Sequence, residues 1–210
     1  MTEVPQPPTT LAVPRPRLGI LWLVLFTLAA VVLVVRVLPE LTPSAVMSEH
    51  TIGGPFTLTD HKGQRVTEAV LAGKPYAMYF GFTHCPGVCP TALQGMGGLL
   101  AKLGADADKL RMVFVTTDPA RDTPAVMGDY LKAFDPRILG LTGSEAEVKQ
   151  MLLTYRVYAQ KGEVKSGEYQ MDHSSAIYLM DRTGELKTVI GQGESADASL
   201  AKVKELIVDG

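Results

Sequence analysis

The chain has 210 residues, 46% of them hydrophobic and 20% charged, with a formal net charge of -2. That length suits one domain with an appendage. The near-neutral charge gives no general reason to bind nucleic acid, and two cysteines are too few for an ordinary iron–sulfur cluster held by one chain.

The first 17 residues hold five prolines, Pro5, Pro7, Pro8, Pro14 and Pro16, and little that could pack; they read as a disordered tail over 1–17. Arg15 and Arg17 then precede an uncharged run of 18 residues from Leu18 to Val35, which Val37 and Leu38 extend past Arg36. A helix rises about 1.5 Å per residue and the hydrocarbon core is roughly 30 Å thick, so the run is just long enough to span. It exceeds the apolar region of a signal peptide and no clear A-x-A site follows it. The expectation is a single transmembrane anchor over 18–38, with a small basic bias toward a cytoplasmic N-terminus. Residues 40–210, mildly acidic, then face the far side of the membrane.

Residues 39–51 read as a linker, with Pro39 and Pro43 discouraging a continuous helix. Gly53-Gly54-Pro55 opens a folded domain over 52–210. Phe56 to Thr59 and Gln64 to Thr67 flank Asp60-His61-Lys62-Gly63 as a small hairpin, and His61 in its turn is expected to be solvated. Tyr76 to Phe82 is apolar nearly throughout, as a strand covered on both faces would be. The next segment, Thr91 to Leu103, places Leu93, Met96, Leu100 and Leu103 on one side of a helix.

Leu110 to Thr116 is a second buried strand. Pro124 suits a first helical turn, after Asp122 or Thr123 as cap. Ser144 and Glu147 have capping-box spacing, with Val148, Met151, Leu152 and Tyr155 following. Ala176 to Met180 and Leu186 to Ile190 bracket a second turn, and Leu200, Val203 and Leu206 close with a helix. The order describes an α/β fold, a mixed sheet flanked by helices. A cysteine pair directly after the first long strand makes the thioredoxin-like arrangement the natural choice.

The cysteines are Cys85 and Cys89, in Phe82-Thr83-His84-Cys85-Pro86-Gly87-Val88-Cys89-Pro90. At a strand-to-helix turn, backbone N–H groups and the helix dipole favour thiolate over thiol. Such a pair is a redox couple or part of a soft-metal site, and three intervening residues leave room for an ion. A structural disulfide closing so short a loop stabilises little. A peroxidase reading wants Thr-x-x-Cys, and Thr83-His84-Cys85 is one residue short.

Among the four histidines, His50 falls in the linker and His84 points away from Cys85 if strand geometry persists. His173, in Met171-Asp172-His173-Ser174-Ser175, precedes the strand whose leading loop passes beside the cysteine turn in a thioredoxin-like fold. Asp172 is a candidate to orient its ring, and Asp118, after the second strand, belongs on the same sheet edge. Two thiolates and an imidazole suit Cu(I); an added ligand admits Cu(II).

Together these segments resemble the Sco/SenC family of copper-binding assembly proteins. The resemblance is carried by Gly54-Pro55-Phe56-Thr57-Leu58 with Gly63, and by Lys74-Pro75-Tyr76 through the Cys85-to-Cys89 turn to Thr91. It continues in Thr117-Asp118-Pro119-Ala120-Arg121-Asp122-Thr123-Pro124, Ala133-Phe134-Asp135-Pro136-Arg137 through Leu141-Thr142-Gly143, and Asp172-His173-Ser174-Ser175, over about residues 50–208. It implies one copper ion held by Cys85, Cys89 and His173. It also implies a role in supplying copper to the dinuclear copper centre of cytochrome c oxidase subunit II or another copper-site protein. As an oxidoreductase, the protein would use Cys85 and Cys89 as redox-active thiols to reduce the cysteines of that centre. The expected place is a bacterial-type inner membrane, crossed once, with the copper-binding domain in the periplasm.

Overall fold

The computed structural model describes residues 51–209, together with Trp22 and residues 25–28. The chain divides into two units, residues 1–46 and 47–210. In the first, Trp22 and residues 25–28 are helical, with Trp22, Leu25, Phe26 and Leu28 exposed. The expected tail over 1–17, the rest of the expected span over 18–38, and the linker as far as His50 lie outside the described residues. Among the described residues no helix is long and apolar enough to cross a membrane.

The second unit begins with the predicted hairpin, β1 (Thr57–Asp60) and β2 (Arg65–Thr67). Its turn is closed by Asp60 Oδ1, which accepts from the Lys62 and Gln64 N–H groups. Gly63 takes a φ of 84 there, a backbone state that side chains disfavour. β3 (Tyr76–Gly81), α1 (Val88–Leu103) and β4 (Arg111–Thr116) follow, then α2 (Pro124–Leu131), β5 (Ile138–Thr142) and α3 (Glu145–Thr154). The chain ends with a small pair, β6 (Ala159–Lys161) and β7 (Met171–His173), a second hairpin, β8 (Ile177–Met180) and β9 (Leu186–Ile190), and α4 (Ala196–Asp209).

Seven strands form one sheet in the order β2-β1-β5-β4-β3-β8-β9, parallel across β3, β4 and β5 and antiparallel outside them. The uniform apolarity of β3 follows from its central place. Ala77, Tyr79 and Phe82 face the layer built by α1, α2 and α4, while Tyr76, Met78 and Phe80 face α3 with Val148, Met151 and Tyr155. Burying each large apolar side chain stabilises the fold by about 1.5–3 kcal/mol, so this strand anchors both layers. The result is an α/β, thioredoxin-like mixed sheet.

Helix ends follow the sequence signals. Thr123 caps α2 by accepting from the Val126 N–H, with Pro124 in the first turn, and Ser144 with Glu147 forms a capping box on α3. Two features lay outside the sequence reading: β5, the third parallel strand, and the β6–β7 pair, which forms a separate two-stranded sheet.

Topology brings three distant segments to one edge. β3 and β4 run in parallel, so the cysteine turn after Gly81 and the loop after Thr116 leave the sheet on the same side. β8 runs against β3 with Ile177 opposite Tyr79, so the segment leading into β8 returns to that side too. Ligand sites in such sheets sit beyond the carboxyl ends of the parallel strands.

Candidate functional site

The cysteine turn starts where β3 ends. Thr117 N–H donates to the Gly81 carbonyl at 2.7 Å, pinning the end of β3 to β4. Only a glycine fits at position 81: an added Cβ would stand 2.9 Å from Cys89 Sγ, 2.9 Å from the Tyr79 ring and 3.0 Å from the Phe114 ring. The sulfur of Cys89 therefore rests directly on the strand backbone.

α1 begins after Gly87 with no side-chain oxygen capping it. The Cys85 sulfur takes part of that role, accepting from the Cys89 N–H at 3.4 Å. Cys89 is fully buried, Cys85 is 9% exposed, and both are free thiols. Tyr79 Oη donates to Cys89 Sγ at 3.6 Å, and the Tyr79 ring stacks on Phe114.

His173 ends β7, and its Nε2 lies 3.7 Å from Cys89 Sγ. Its ring is gripped edge-on by Phe82, centroids 5.7 Å apart, and by Tyr79, 6.3 Å apart. Nδ1 faces the Ser174 carbonyl at 2.9 Å. A carbonyl only accepts, so the proton belongs on Nδ1 and Nε2 turns its lone pair toward the sulfur. The orienting group is thus a backbone carbonyl. Asp172, the expected one, is exposed and pairs across the hairpin with Gln160.

The other candidates separate cleanly. His84 lies in a turn after β3 has ended, where its Nδ1 meets Thr83 Oγ1 at 3.0 Å. His61 is more than a solvated turn residue: its Nδ1 accepts from the Gly140 N–H at 3.1 Å and tethers β5. Asp118 is buried beside the site, its carboxylate taken by Arg121 Nε and by the Tyr169 hydroxyl at 2.8 Å. The sequence reading missed Asp122. Expected as a helix cap, it is fully buried and accepts from the Thr83 N–H, the Thr83 hydroxyl and the Thr116 hydroxyl, tying the cysteine turn to β4.

At Cys89 burial works against the thiolate expectation. Burial pushes the Cys89 thiol up to about 12 from an ordinary 9.0, outweighing the hydrogen bonds from Phe82 and Tyr79 that pull the other way. Without a bound metal, Cys89 is therefore held protonated. Because the folded value lies above the ordinary one, the metal-free fold keeps this contribution in full below pH 9.0 and loses it as pH climbs toward about 12.

The donor set fits a soft cation. Metal–sulfur and metal–nitrogen bonds of about 2.3 and 2.0 Å meeting at roughly 120° place the two donors about 3.7 Å apart, and Cys89 Sγ and His173 Nε2 already stand at 3.7 Å. Among the described residues no three His, Cys, Asp or Glu side chains are grouped so as to hold a metal ion as they stand, so closure of a three-donor site would require side-chain movement. An ion held by Cys89 would displace its proton. Affinity for Cu(I) is expected to rise about tenfold per pH unit through the neutral range from this group alone. Competition titration against a chromophoric chelator at about pH 6, 7 and 8 measures it, and a flat profile removes Cys89 from the ligand set.

A family model described as SCO1/SenC matches residues 44–208. "Protein SCO2, mitochondrial" of Saccharomyces cerevisiae is 40% identical over 159 residues, covering 74% of this chain and 53% of that protein. The structure of Bradyrhizobium japonicum ScoI with copper bound aligns with a TM-score of 0.69 and 46% identity, covering 74% of this chain and 99% of that one. Yeast Sco1 with copper bound aligns with a TM-score of 0.71 and 41% identity, covering 76% of this chain and 90% of that one. The chain spans about half the length of the curated relatives it matches.

Proposed function

Because this chain belongs to the SCO1/SenC family, we propose that it is a membrane-anchored copper chaperone holding one copper ion through Cys85, Cys89 and His173. The observation that carries the reading is the 3.7 Å approach of His173 Nε2 to Cys89 Sγ across 84 positions of sequence. Two sulfurs and one imidazole nitrogen give Cu(I) a three-donor site of the softness it prefers. Two of the aligned relatives, Bradyrhizobium japonicum ScoI and yeast Sco1, are structures with copper bound, which supports copper as the cargo.

Delivery proceeds by ligand exchange. As each partner thiolate bonds to the ion, one donor of this chain leaves it, and Cys89 regains a proton that its buried setting favours strongly. The buried setting's preference for the thiol thus helps release. The intended recipient is the dinuclear copper centre of cytochrome c oxidase subunit II or another copper-site protein.

His173→Ala is expected to weaken Cu(I) binding by about 100-fold or more, about 2.7 kcal/mol, in a chelator competition. Unchanged affinity with intact reduction of a disulfide partner would instead favour a thiol–disulfide oxidoreductase, which needs only Cys85 and Cys89.

The run Leu18 to Val35 supports a single membrane anchor within 18–38, with 1–17 as a tail, 39–51 as a linker and 52–210 as the copper-binding domain in the periplasm of a bacterial-type cell. The full chain should resist alkaline carbonate extraction from membranes, whereas a chain starting at residue 47 should be released. Extraction of the full chain would remove the anchor.

A further inference from the structure

His173 sits on a hairpin with little to hold it. β6 and β7 pair only with each other, and neither strand contains a buried residue. The hairpin is closed at its tip, where Lys165 and Glu168 exchange backbone hydrogen bonds across Ser166 and Gly167, both at positive φ. At its base Ser174 N–H donates to the Tyr158 carbonyl, which closes the hairpin on itself. Beyond the half-buried Met171 against the core and the contacts of the imidazole itself, one more side chain ties the hairpin to the domain.

That role falls to Tyr169, four residues before His173. Its hydroxyl donates to Asp118 Oδ1 at 2.8 Å. The Arg121 guanidinium lies 3.6 Å from its ring centroid and Lys161 Nζ 3.9 Å. Contacts of this kind contribute about 0.5–2 kcal/mol each, most where water is displaced. Arg121 is mostly buried, bonded through Nε to Asp118, and also lies over Phe82 at 5.9 Å. Phe82 is the residue that grips the His173 ring. One guanidinium therefore touches both the hairpin and the approach to the cysteine turn.

We propose that Tyr169, hydrogen-bonded to Asp118 and stacked on Arg121, is a positioning residue that fastens the β6–β7 hairpin and so holds His173 at the cysteine turn. The inference rests on His173 being a copper ligand. Tyr169 touches no donor atom of the site; it acts through the strand that carries His173. Freed of this fastening, the hairpin pivots at its base and the imidazole no longer dwells within reach of Cys89.

A double-mutant cycle on copper affinity tests it. Tyr169→Leu is expected to weaken Cu(I) binding by at least about tenfold, and to cost almost nothing further in a His173→Ala background. In the Cu(II)-loaded protein it should diminish the nitrogen coupling seen by pulsed electron paramagnetic resonance. In the metal-free protein it should speed hydrogen exchange over residues 159–173. Tyr169→Phe, which keeps the ring on Arg121 but loses the hydroxyl bond to Asp118, should lose part of the affinity and of the nitrogen coupling, and it carries the same cycle if the leucine variant does not fold. Additive losses, or wild-type affinity and coupling in Tyr169→Leu, overturn the inference while leaving His173 as a ligand. Wild-type affinity in His173→Ala alone overturns the ligand reading, and this one with it.

Discussion

Replacing Cys89 with serine is expected to lower Cu(I) affinity by at least about a thousandfold, roughly 4 kcal/mol, while leaving the metal-free fold nearly intact. The two effects diverge for a physical reason. Serine is close to cysteine in size, and the buried position offers its hydroxyl two partners, Tyr79 Oη and His173 Nε2. A buried hydroxyl with partners costs about 1 kcal/mol or less relative to the thiol. For the ion, the exchange replaces a soft anionic donor with a hard neutral one that does not ionise at neutral pH, and Cu(I) selects thiolate strongly. Chelator competition reads the first effect and the melting curve of metal-free protein the second. Copper affinity within about tenfold of wild type would show that Cys89 is a packing residue and that the pair acts through Cys85. Copper should also stabilise the wild-type fold in proportion to its binding, by RT ln(1 + [L]/Kd), and that thermal shift should vanish in Cys89→Ser.

How far the sequence reached can be seen at particular residues. β3 and β4 were legible because central parallel strands are apolar on both faces, and the α2 and α3 starts because Thr123-Pro124 and Ser144 to Glu147 carry their own capping chemistry. β5 escaped because Ile138-Leu139-Gly140-Leu141-Thr142 is short and holds a glycine, whose hydrogen at the α-carbon lets Leu131 and Met127 pack close. β6 and β7 escaped because three-residue, exposed, polar strands have no periodicity to read. The pairing of Cys89 with His173 was legible through the order of strands, since the segment leading into β8 must return to the edge where β3 ends. The protonation of Cys89 was not: the turn and helix start are visible in sequence, but the burial that outweighs them depends on Tyr79, Phe82 and His173 closing over the sulfur. Asp122 failed for a related reason. An aspartate just before Thr-Pro at a helix start looks the same whether it caps the helix or faces inward.

Removing that carboxylate is expected to be among the most destabilising single changes in the domain. In Asp122→Ala the Thr83 N–H, the Thr83 hydroxyl and the Thr116 hydroxyl lose their acceptor together, and Thr116 is fully buried. Leaving buried donors unpaired costs about 1–3 kcal/mol each; with some relaxation the sum is about 3–5 kcal/mol, a large share of a typical domain's 5–15. Asp122→Asn keeps the shape and one acceptor oxygen but turns an amide donor toward another donor, so roughly half the loss should remain. The backbone bonds at this position, Asp122 N–H to the Asp118 carbonyl and the Thr142 hydroxyl to the Asp122 carbonyl, survive both changes and keep the loop in register. The midpoint of urea unfolding should therefore fall in the order wild type, Asn, Ala at an unchanged slope. Copper affinity should fall in the same order, because Thr83 leads directly into Cys85 and its freedom becomes the freedom of the sulfur. An alanine variant within about 1 kcal/mol of wild type would mean that the cysteine turn is held by the packing of Phe82 and Cys89 rather than by this hub.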